Sequence, residues 1–205
     1  MEAFALPTLS RFHSAGESGS DFRGLSVDAQ WTYAMLVSQP GVSMCGTLPF
    51  TPKKWVKLAH DLNRAGKMAR DVGLRLGYHN HNWEFFRLTD NPSKTAYDVL
   101  IEETDRHYVH FEMDLFWVTR GARDPVDLLQ RLGDRVRQYH VKDMNQAGSF
   151  EDPGQGLLDF PRIFRTHQVE EYIVERDDAG SPPRAPADAL ITARVGYEFL
   201  RTVRF

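Results

Sequence analysis

Apolar and polar residues along most of the chain follow two alternating patterns, one typical of helices and one typical of short strands. Segments with apolar residues every three or four positions are separated by short apolar or β-branched runs. The pattern predicts helices over about 26–40, 52–73, 94–104, 125–132, 160–167 and 187–201, and strands over about 42–45, 74–85, 108–117, 136–143 and 171–177. Strands and helices that alternate in this way predict an α/β fold with a parallel sheet covered by helices.

Turn-forming and capping residues divide the chain and mark several helix ends. Residues 1–24 are rich in glycine and serine without a regular apolar pattern, so we predict an irregular N-terminal segment there and one domain over 25–205. Thr51 and Asp159 are predicted N-caps of the helices that follow them, and Gly73 is predicted to end the long helix before the second strand.

Four of the predicted strands begin with apolar residues and close on two polar side chains at positions i and i+2, which lie on one side of a strand about 7 Å apart. These pairs are His79 and His81, Glu112 and Asp114, His140 and Lys142, and Glu175 and Asp177. The successive steps from His79 to Asp114, His140 and Glu175 are 35, 26 and 35 residues, about one strand and one helix each. Because isolated buried ionisable groups cost several kcal/mol each, we interpret the four strand ends as one site at the C-terminal edge of a (β/α) barrel.

Composition excludes several classes of protein. The chain has 205 residues, 41% hydrophobic and 26% charged, with a formal net charge of −3, which gives no basic footprint for nucleic acid. The single cysteine, Cys45, cannot form an internal disulfide and is typical of a reducing compartment. The sequence has neither a signal-peptide pattern nor a sufficiently long apolar run for a membrane span. We therefore expect a cytoplasmic protein that does not bind membranes or nucleic acid.

Five short motifs at βα spacing, GYHNHNWEF, FEMDLFWV, YHVKDM, GQGLLDF and YIVERD, resemble the sugar phosphate isomerase/epimerase family of xylose-isomerase-like TIM barrels. The resemblance runs from about Leu48 to the C-terminus. It implies a divalent metal at the ends of barrel strands five to eight and a sugar or keto-sugar substrate. Carried over to this sequence, the metal ligands are His79, Asp114, His140 and Glu175. Many members of the superfamily have a glutamate where His79 stands, so His81 or Glu84 is the alternative ligand.

The chemistry of this ligand set supports a transition metal and an enolising reaction. Two imidazoles and two carboxylates suit Mn²⁺, Zn²⁺, Co²⁺ or Fe²⁺ better than Mg²⁺. Such an ion polarises a carbonyl and acidifies the adjacent C–H, and a base then removes the proton. His81 is the predicted base, and the resemblance suggests that Glu175 serves as both ligand and base. Returning the proton elsewhere gives isomerisation or epimerisation, whereas loss of a β-leaving group gives elimination.

Other residues near the predicted strand ends have two interpretations each. Lys142 either stabilises the enolate oxygen as a catalytic residue or pairs with Asp143 or Glu112. Trp117 is predicted to stack on the apolar face of a sugar, or else to be a core residue. Glu84 either orients a histidine or is a solvated loop carboxylate.

Two further carboxylates are candidate substrate contacts. Asp177 is predicted either to bind substrate or to orient Lys142 or His140 without contacting substrate. Glu112 is the other candidate substrate contact. Alternatively, it supports the metal ligands or faces the helices.

The length of the patterned region limits the fold. A closed (β/α) barrel usually needs about 250 residues, whereas this chain supplies about five βα units from Val42 onward. We therefore predict a partial barrel, strands four to eight, shortened at its N-terminus. The open edge and the apolar interior of such a barrel would favour either a homo-oligomer or an N-terminal segment that covers the edge.

Three functions follow in order of preference. The first is a metal-dependent sugar isomerase or epimerase. The second is a metal-dependent lyase acting on 3-keto-glycosides or inositol-type keto sugars. The third is a non-catalytic or partner-dependent partial barrel.

Overall fold

The computed structural model describes residues 52–180 and 183–205. The predicted irregular segment 1–24, the helix at 26–40 and the strand at 42–45 lie outside these residues, as do Cys45 and Thr51.

The helices and strands that the sequence predicts within the described residues are all present, and the structure adds a short helix at Leu115–Arg120 and a short strand at Phe150–Glu151. The helices are α1 (Pro52–Asp71), α2 (Ala96–Glu103), α3 (Leu115–Arg120), α4 (Pro125–Leu132), α5 (Phe160–Thr166) and α6 (Asp188–Thr202). The strands are β1 (Leu76–His79), β2 (Val109–Asp114), β3 (Val136–Val141), β4 (Asp143–Met144), β5 (Phe150–Glu151) and β6 (Glu171–Val174). Two 3₁₀ turns lie at Trp83–Phe85 and Gly133–Arg135.

Four parallel strands form the main sheet, in the order β1, β2, β3, β6. Because all four run the same way, their C-terminal ends meet at one edge. A separate two-stranded antiparallel hairpin, β4 with β5, lies beyond the end of β3. This arrangement confirms the partial (β/α) barrel.

The two faces of the sheet differ in polarity. Val109, Phe111 and Met113 of β2 are fully buried in the core between sheet and helices. Glu112 and Gln138, which are paired neighbours on β2 and β3, lie on the other face and are also buried. The expectation of an apolar barrel interior is therefore wrong, because polar residues that bond one another occupy this face, as Gln138 does with Glu171 at 3.0 Å.

Local capping explains several element boundaries. Thr95 and Asp98 form a reciprocal capping box at the start of α2. Asp159 caps α5 by accepting from the Arg162 N–H, as predicted. Gly66 lies where α1 crosses the start of β2, and a Cβ there would be 2.2 Å from the Tyr108 carbonyl oxygen, so only glycine allows this approach.

All four strands of the main sheet are shorter than the sequence predicts. β3 ends at Val141 and β6 at Val174, so the predicted pairs His140 with Lys142 and Glu175 with Asp177 do not lie on one side of a regular strand.

The run at 108–117 ends as a strand at Asp114, whose Oδ1 accepts from the Trp117 N–H at 2.9 Å and starts α3. The run at 74–85 ends as a strand at His79, so the prediction that His79 and His81 lie on one side of a strand is wrong. In both cases a carboxylate accepts a hydrogen bond from a backbone N–H beyond the strand, Asp114 from Trp117 and Glu84 from His81, and the chain leaves the sheet there.

Candidate metal centre

The four residues implied as metal ligands come together at the C-terminal edge of the sheet. His79 and Asp114 are the last residues of β1 and β2, and His140 lies next to Asp114 in the β2–β3 pairing. Glu175 follows β6 directly, and its N–H donates to the Val141 carbonyl at 3.3 Å. Each of the four offers a ligand atom within 4.8 Å of the others.

The cluster is held together by direct contacts. The His79 and His140 rings lie with their centroids 4.3 Å apart, and His79 Nε2 is 3.6 Å from Asp114 Oδ2. His140 uses both ring nitrogens: Nδ1 faces Glu175 Oε2 in a short contact, and Nε2 lies 2.5 Å from Glu112 Oε1. Glu112 thus lies behind His140, on the side away from Glu175.

Two atoms of the cluster fit the requirements of a cation site. Asp114 Oδ2 is buried and makes no well-directed hydrogen bond in the described part of the chain, its nearest charged or ionisable neighbours being Lys142 Nζ at 2.9 Å and His79 Nε2 at 3.6 Å. His79 Nδ1 is also buried without a hydrogen-bond partner among those residues. Buried polar atoms normally have partners. Two imidazole nitrogens and two carboxylates within reach of one another are a donor set for a borderline divalent ion, which binds such groups at about 2.0–2.2 Å.

Lys142 places a buried ammonium group beside the cluster. Its Nζ lies 2.9 Å from Asp114 Oδ2, 3.0 Å from Glu175 Oε2 and 2.8 Å from Asp177 Oδ1. The predicted alternative, a pair with Asp143 or Glu112, is wrong. Asp143 instead accepts from backbone N–H groups of the loop that follows β5, Gly154 among them at 2.9 Å.

The environment shifts the pKa values of these groups in opposite directions. Burial would lower the pKa of His140, but the adjacent Glu112 and Glu175 carboxylates raise it to about 10. Burial would raise the pKa of Glu175, but its bond to His140 and the Lys142 ammonium hold it well below its usual range. Burial raises the pKa of Asp114 to about 6, against the opposing effect of Lys142.

His81 lies at the rim of the cluster among aromatic side chains. Its ring centroid is 5.1 Å from that of His79, and it stacks on Trp83 at 4.1 Å with an interplanar angle of 11°. Burial, together with Lys142, lowers the pKa of His81 to about 4, so the imidazole is neutral at neutral pH. Trp117, carried by α3, lies 5.5 Å from His81, and Lys142 Nζ lies 5.3 Å from the Trp117 ring centroid.

The remaining candidates occupy different positions around this centre. Glu112 is 2% exposed and contacts His140, which favours the supporting role over substrate contact. Asp177 is about one-third exposed and pairs with Lys142, as its alternative interpretation expected. Glu84 is 1% exposed, so the interpretation as a solvated carboxylate is wrong.

Glu84 shapes the backbone just after β1. Its Oε1 accepts from the Tyr78 hydroxyl at 2.9 Å and its Oε2 from the His81 N–H at 3.0 Å. Burial raises its pKa to about 7. The sequence analysis missed Trp83, which lies in the same motif as His79 and His81. Its stacking on His81 depends on the backbone turn after β1, and the two-residue spacing between them does not predict that turn.

None of the helices in the described residues combines the length and the apolar character that crossing a bilayer requires.

Comparison with known proteins gives a family and two kinds of relative. A family model described as xylose isomerase-like TIM barrel matches residues 33–190. The inosose dehydratases of Clostridium botulinum (strain Eklund 17B / Type B) and Lacticaseibacillus casei are 27% and 28% identical to the chain, over 70% and 67% of its length and 56% and 54% of theirs. The crystal structure of a sugar phosphate isomerase/epimerase from Parabacteroides distasonis ATCC 8503 is 28% identical with a TM-score of 0.60, covering 75% of this chain and 56% of that one. The chain therefore spans about half the length of the curated relatives it matches.

Proposed function

The chain belongs to the xylose isomerase-like TIM barrel family, and we propose that it is a metal-dependent enzyme that removes a proton beside the carbonyl of a keto-polyol. The observation that carries the proposal is the convergence of two imidazoles and two carboxylates at the ends of four parallel strands, within 4.8 Å of one another. C-terminal strand ends are where barrels of this type hold their active sites.

We assign the metal to His79, Asp114, His140 and Glu175. With this donor set, Mn²⁺, Zn²⁺, Co²⁺ or Fe²⁺ is favoured over Mg²⁺, which prefers oxygen ligands and retains water. A divalent ion bound there would supply Lewis acidity that polarises the substrate carbonyl.

Residues around the cluster supply the proton chemistry. We assign His81 as the base that takes the proton from carbon, because its ring lies 5.1 Å from that of His79 at the rim. Lys142 would donate a hydrogen bond to the developing enolate oxygen, because its ammonium group is buried between Asp114 and Glu175. Glu175 is a second candidate base. Trp117 would cover one face of the substrate, and Asp177 would hold Lys142 in place.

Dehydration is the outcome we propose first. In this reaction the C–H bond breaks, its electron pair forms a C=C bond to the carbon that bears the leaving hydroxyl, and that C–O bond breaks. The departing oxygen takes a proton and leaves as water. Support comes from the inosose dehydratase relatives. A cyclic inositol-type keto sugar is the corresponding substrate class.

Isomerisation or epimerisation, which the sequence suggested first, is the second candidate. It shares the proton-removal step and differs only in returning the proton to carbon. The observation that favours it is the similarity to a sugar phosphate isomerase/epimerase at 28% identity. A 3-keto-glycoside lyase shares the same first step.

One experiment tests the common step and separates its outcomes. The protein is reconstituted with Mn²⁺ in D₂O and incubated with ketoses, keto-inositols and 3-keto-glycosides, and the products are followed by NMR and ultraviolet absorption. We expect deuterium uptake beside a carbonyl together with an unsaturated product. A saturated diastereomer would favour epimerisation. Stoichiometric metal with no exchange of any substrate would overturn the proposal and leave the non-catalytic or partner-dependent chain.

A further inference from the structure

Asn80 joins the ends of two strands that carry candidate metal ligands. It lies directly after His79 and is fully buried, at 0% exposure. Its Oδ1 accepts from the Asp114 N–H at 3.2 Å, and its Nδ2 donates to the Asp114 carbonyl oxygen at 3.4 Å. One side-chain amide therefore bonds both backbone groups of one ligand residue.

The pairing of β1 with β2 explains why this contact is needed. The backbone pairing of the two strands ends with His79 opposite Glu112, two residues before Asp114. Asp114 is buried, and unpaired backbone groups in such a position cost about 1–3 kcal/mol each. The Asn80 side-chain amide supplies one hydrogen-bond donor and one acceptor, and it therefore continues the hydrogen bonding between β1 and β2 beyond the end of β1.

The Asp114 side chain is also held, by the backbone at the start of α3. Its Oδ1 accepts from the Trp117 N–H at 2.9 Å. With the backbone held by Asn80 and Oδ1 held by the Trp117 N–H, Oδ2 is the oxygen that faces the cluster, 2.9 Å from Lys142 Nζ and 3.6 Å from His79 Nε2.

We propose that Asn80 is a positioning residue of the metal centre, fixing the Asp114 backbone relative to His79 so that both present their ligand atoms to one ion. The inference rests on the proposed function, because it takes Asp114 and His79 as ligands. Residues that orient metal ligands in this way typically contribute 10- to 100-fold to metal affinity.

The test compares Asn80→Ala and Asn80→Asp with Asn82→Ala. Asn82 is the matched control because it lies in the same motif and its side chain makes no capping bond to the turn that follows. Co²⁺ is titrated into each protein, and its visible d–d absorption reports both affinity and coordination geometry. NMR hydrogen exchange of the Asp114 amide reports the clamp itself.

We expect Asn80→Ala to bind Co²⁺ about 10- to 100-fold more weakly, with an altered spectrum and faster exchange at the Asp114 amide, while Asn82→Ala matches the wild type. Asn80→Asp keeps the acceptor for the Asp114 N–H but places an oxygen against the Asp114 carbonyl, so we expect an altered Co²⁺ spectrum in this variant. Wild-type affinity and spectrum in Asn80→Ala would overturn the inference and leave the proposed function intact. A wild-type protein that binds no Co²⁺ would overturn the proposed function and this inference together. If Asn80→Ala does not fold, Asn80→Asp decides by its Co²⁺ spectrum, because it keeps the side-chain volume and the acceptor but loses the donor to the Asp114 carbonyl. A wild-type spectrum in that variant would overturn the inference.

Discussion

The two ends of the four-stranded sheet both carry ion pairs, which differ in burial and in the sign of the excess charge. At the N-terminal end, Arg75 and Arg137 share Glu170, and all three side chains are 33–34% exposed. At the C-terminal end, Lys142 and Asp114 are 1% and 0% exposed. Two arginines share one carboxylate at the first end, whereas three carboxylates share one lysine at the second. Glu175 and Asp177 are about as exposed as Glu170, so the difference in burial comes from Lys142 and Asp114.

This difference supports the proposal that the C-terminal end binds a cation. Exposed pairs are screened by water and contribute little, so an imbalance of charge there has little cost. Buried carboxylates need matching cations or hydrogen bonds. Glu112 and Asp114 are buried and, with the partly exposed Glu175 and Asp177, surround a single lysine and two histidines. A divalent ion would offset much of the excess negative charge.

The largest effect is expected for His140→Ala, which tests whether the C-terminal end is a metal centre at all. His140 lies between Glu112 and Glu175, and its loss removes a ligand from the centre of the cluster. We expect the affinity for Mn²⁺ or Co²⁺ to fall by well over about 100-fold, beyond the range typical of residues that only support ligands. Metal content after reconstitution and dialysis measures this. His60→Ala is the control, since His60 is 61% exposed on α1. Retained metal in His140→Ala would mean that the ligands are wrongly assigned.

The next effect concerns chemistry rather than binding. Lys142→Met removes the buried ammonium group but keeps a side chain of similar length. We expect deuterium exchange of a keto-polyol to slow by about 10²–10³-fold, because an oxyanion donor is lost, while the metal stays bound. Lys67→Met, on the exposed side of α1, should leave the exchange rate unchanged. Normal exchange in Lys142→Met would show that this lysine only neutralises its carboxylate neighbours.

A smaller effect is expected for Glu112→Gln, which keeps the shape behind His140 and removes the charge. Glu112 Oε1 lies 2.5 Å from His140 Nε2, so it fixes which ring nitrogen faces the cluster. We expect Mn²⁺ affinity, measured by calorimetry, to fall about 10- to 100-fold. Glu102→Gln, an exposed carboxylate of α2, serves as the control. Unchanged affinity would return Glu112 to the role of substrate contact.

The position of this centre was predictable from the sequence because it depends on local pattern and on topology. Apolar runs that close on His79, Asp114, His140 and Glu175 indicate four strand ends, and parallel strands bring such ends to one edge. The bounds of α4 were also predictable, since Asp124 and Pro125 mark its start.

What the sequence could not give depends on contacts between distant segments. The apolar run through Leu115 and Trp117 continues β2 without a break, and only the cap made by Asp114 reveals that a helix starts there. Lys142 takes partners from β2 and from beyond β6 rather than from its neighbour Asp143. The buried role of Asn80 depends on the backbone of another strand, which no periodicity encodes.

The smallest effect is expected at the N-terminal end, where Glu170→Gln tests the other half of the comparison. The change leaves Arg75 and Arg137 near each other without their shared carboxylate. Because these side chains are about one-third exposed, water and salt screen the repulsion, and we expect the free energy of unfolding to fall by less than about 1 kcal/mol. Urea denaturation at low and high salt measures this, and the difference from wild type should shrink as salt is added. Metal affinity should stay at the wild-type value, in contrast to Glu112→Gln. A loss above about 2 kcal/mol, or weaker metal binding, would show that the two ends of the sheet are coupled and that the exposed pairs also support the centre.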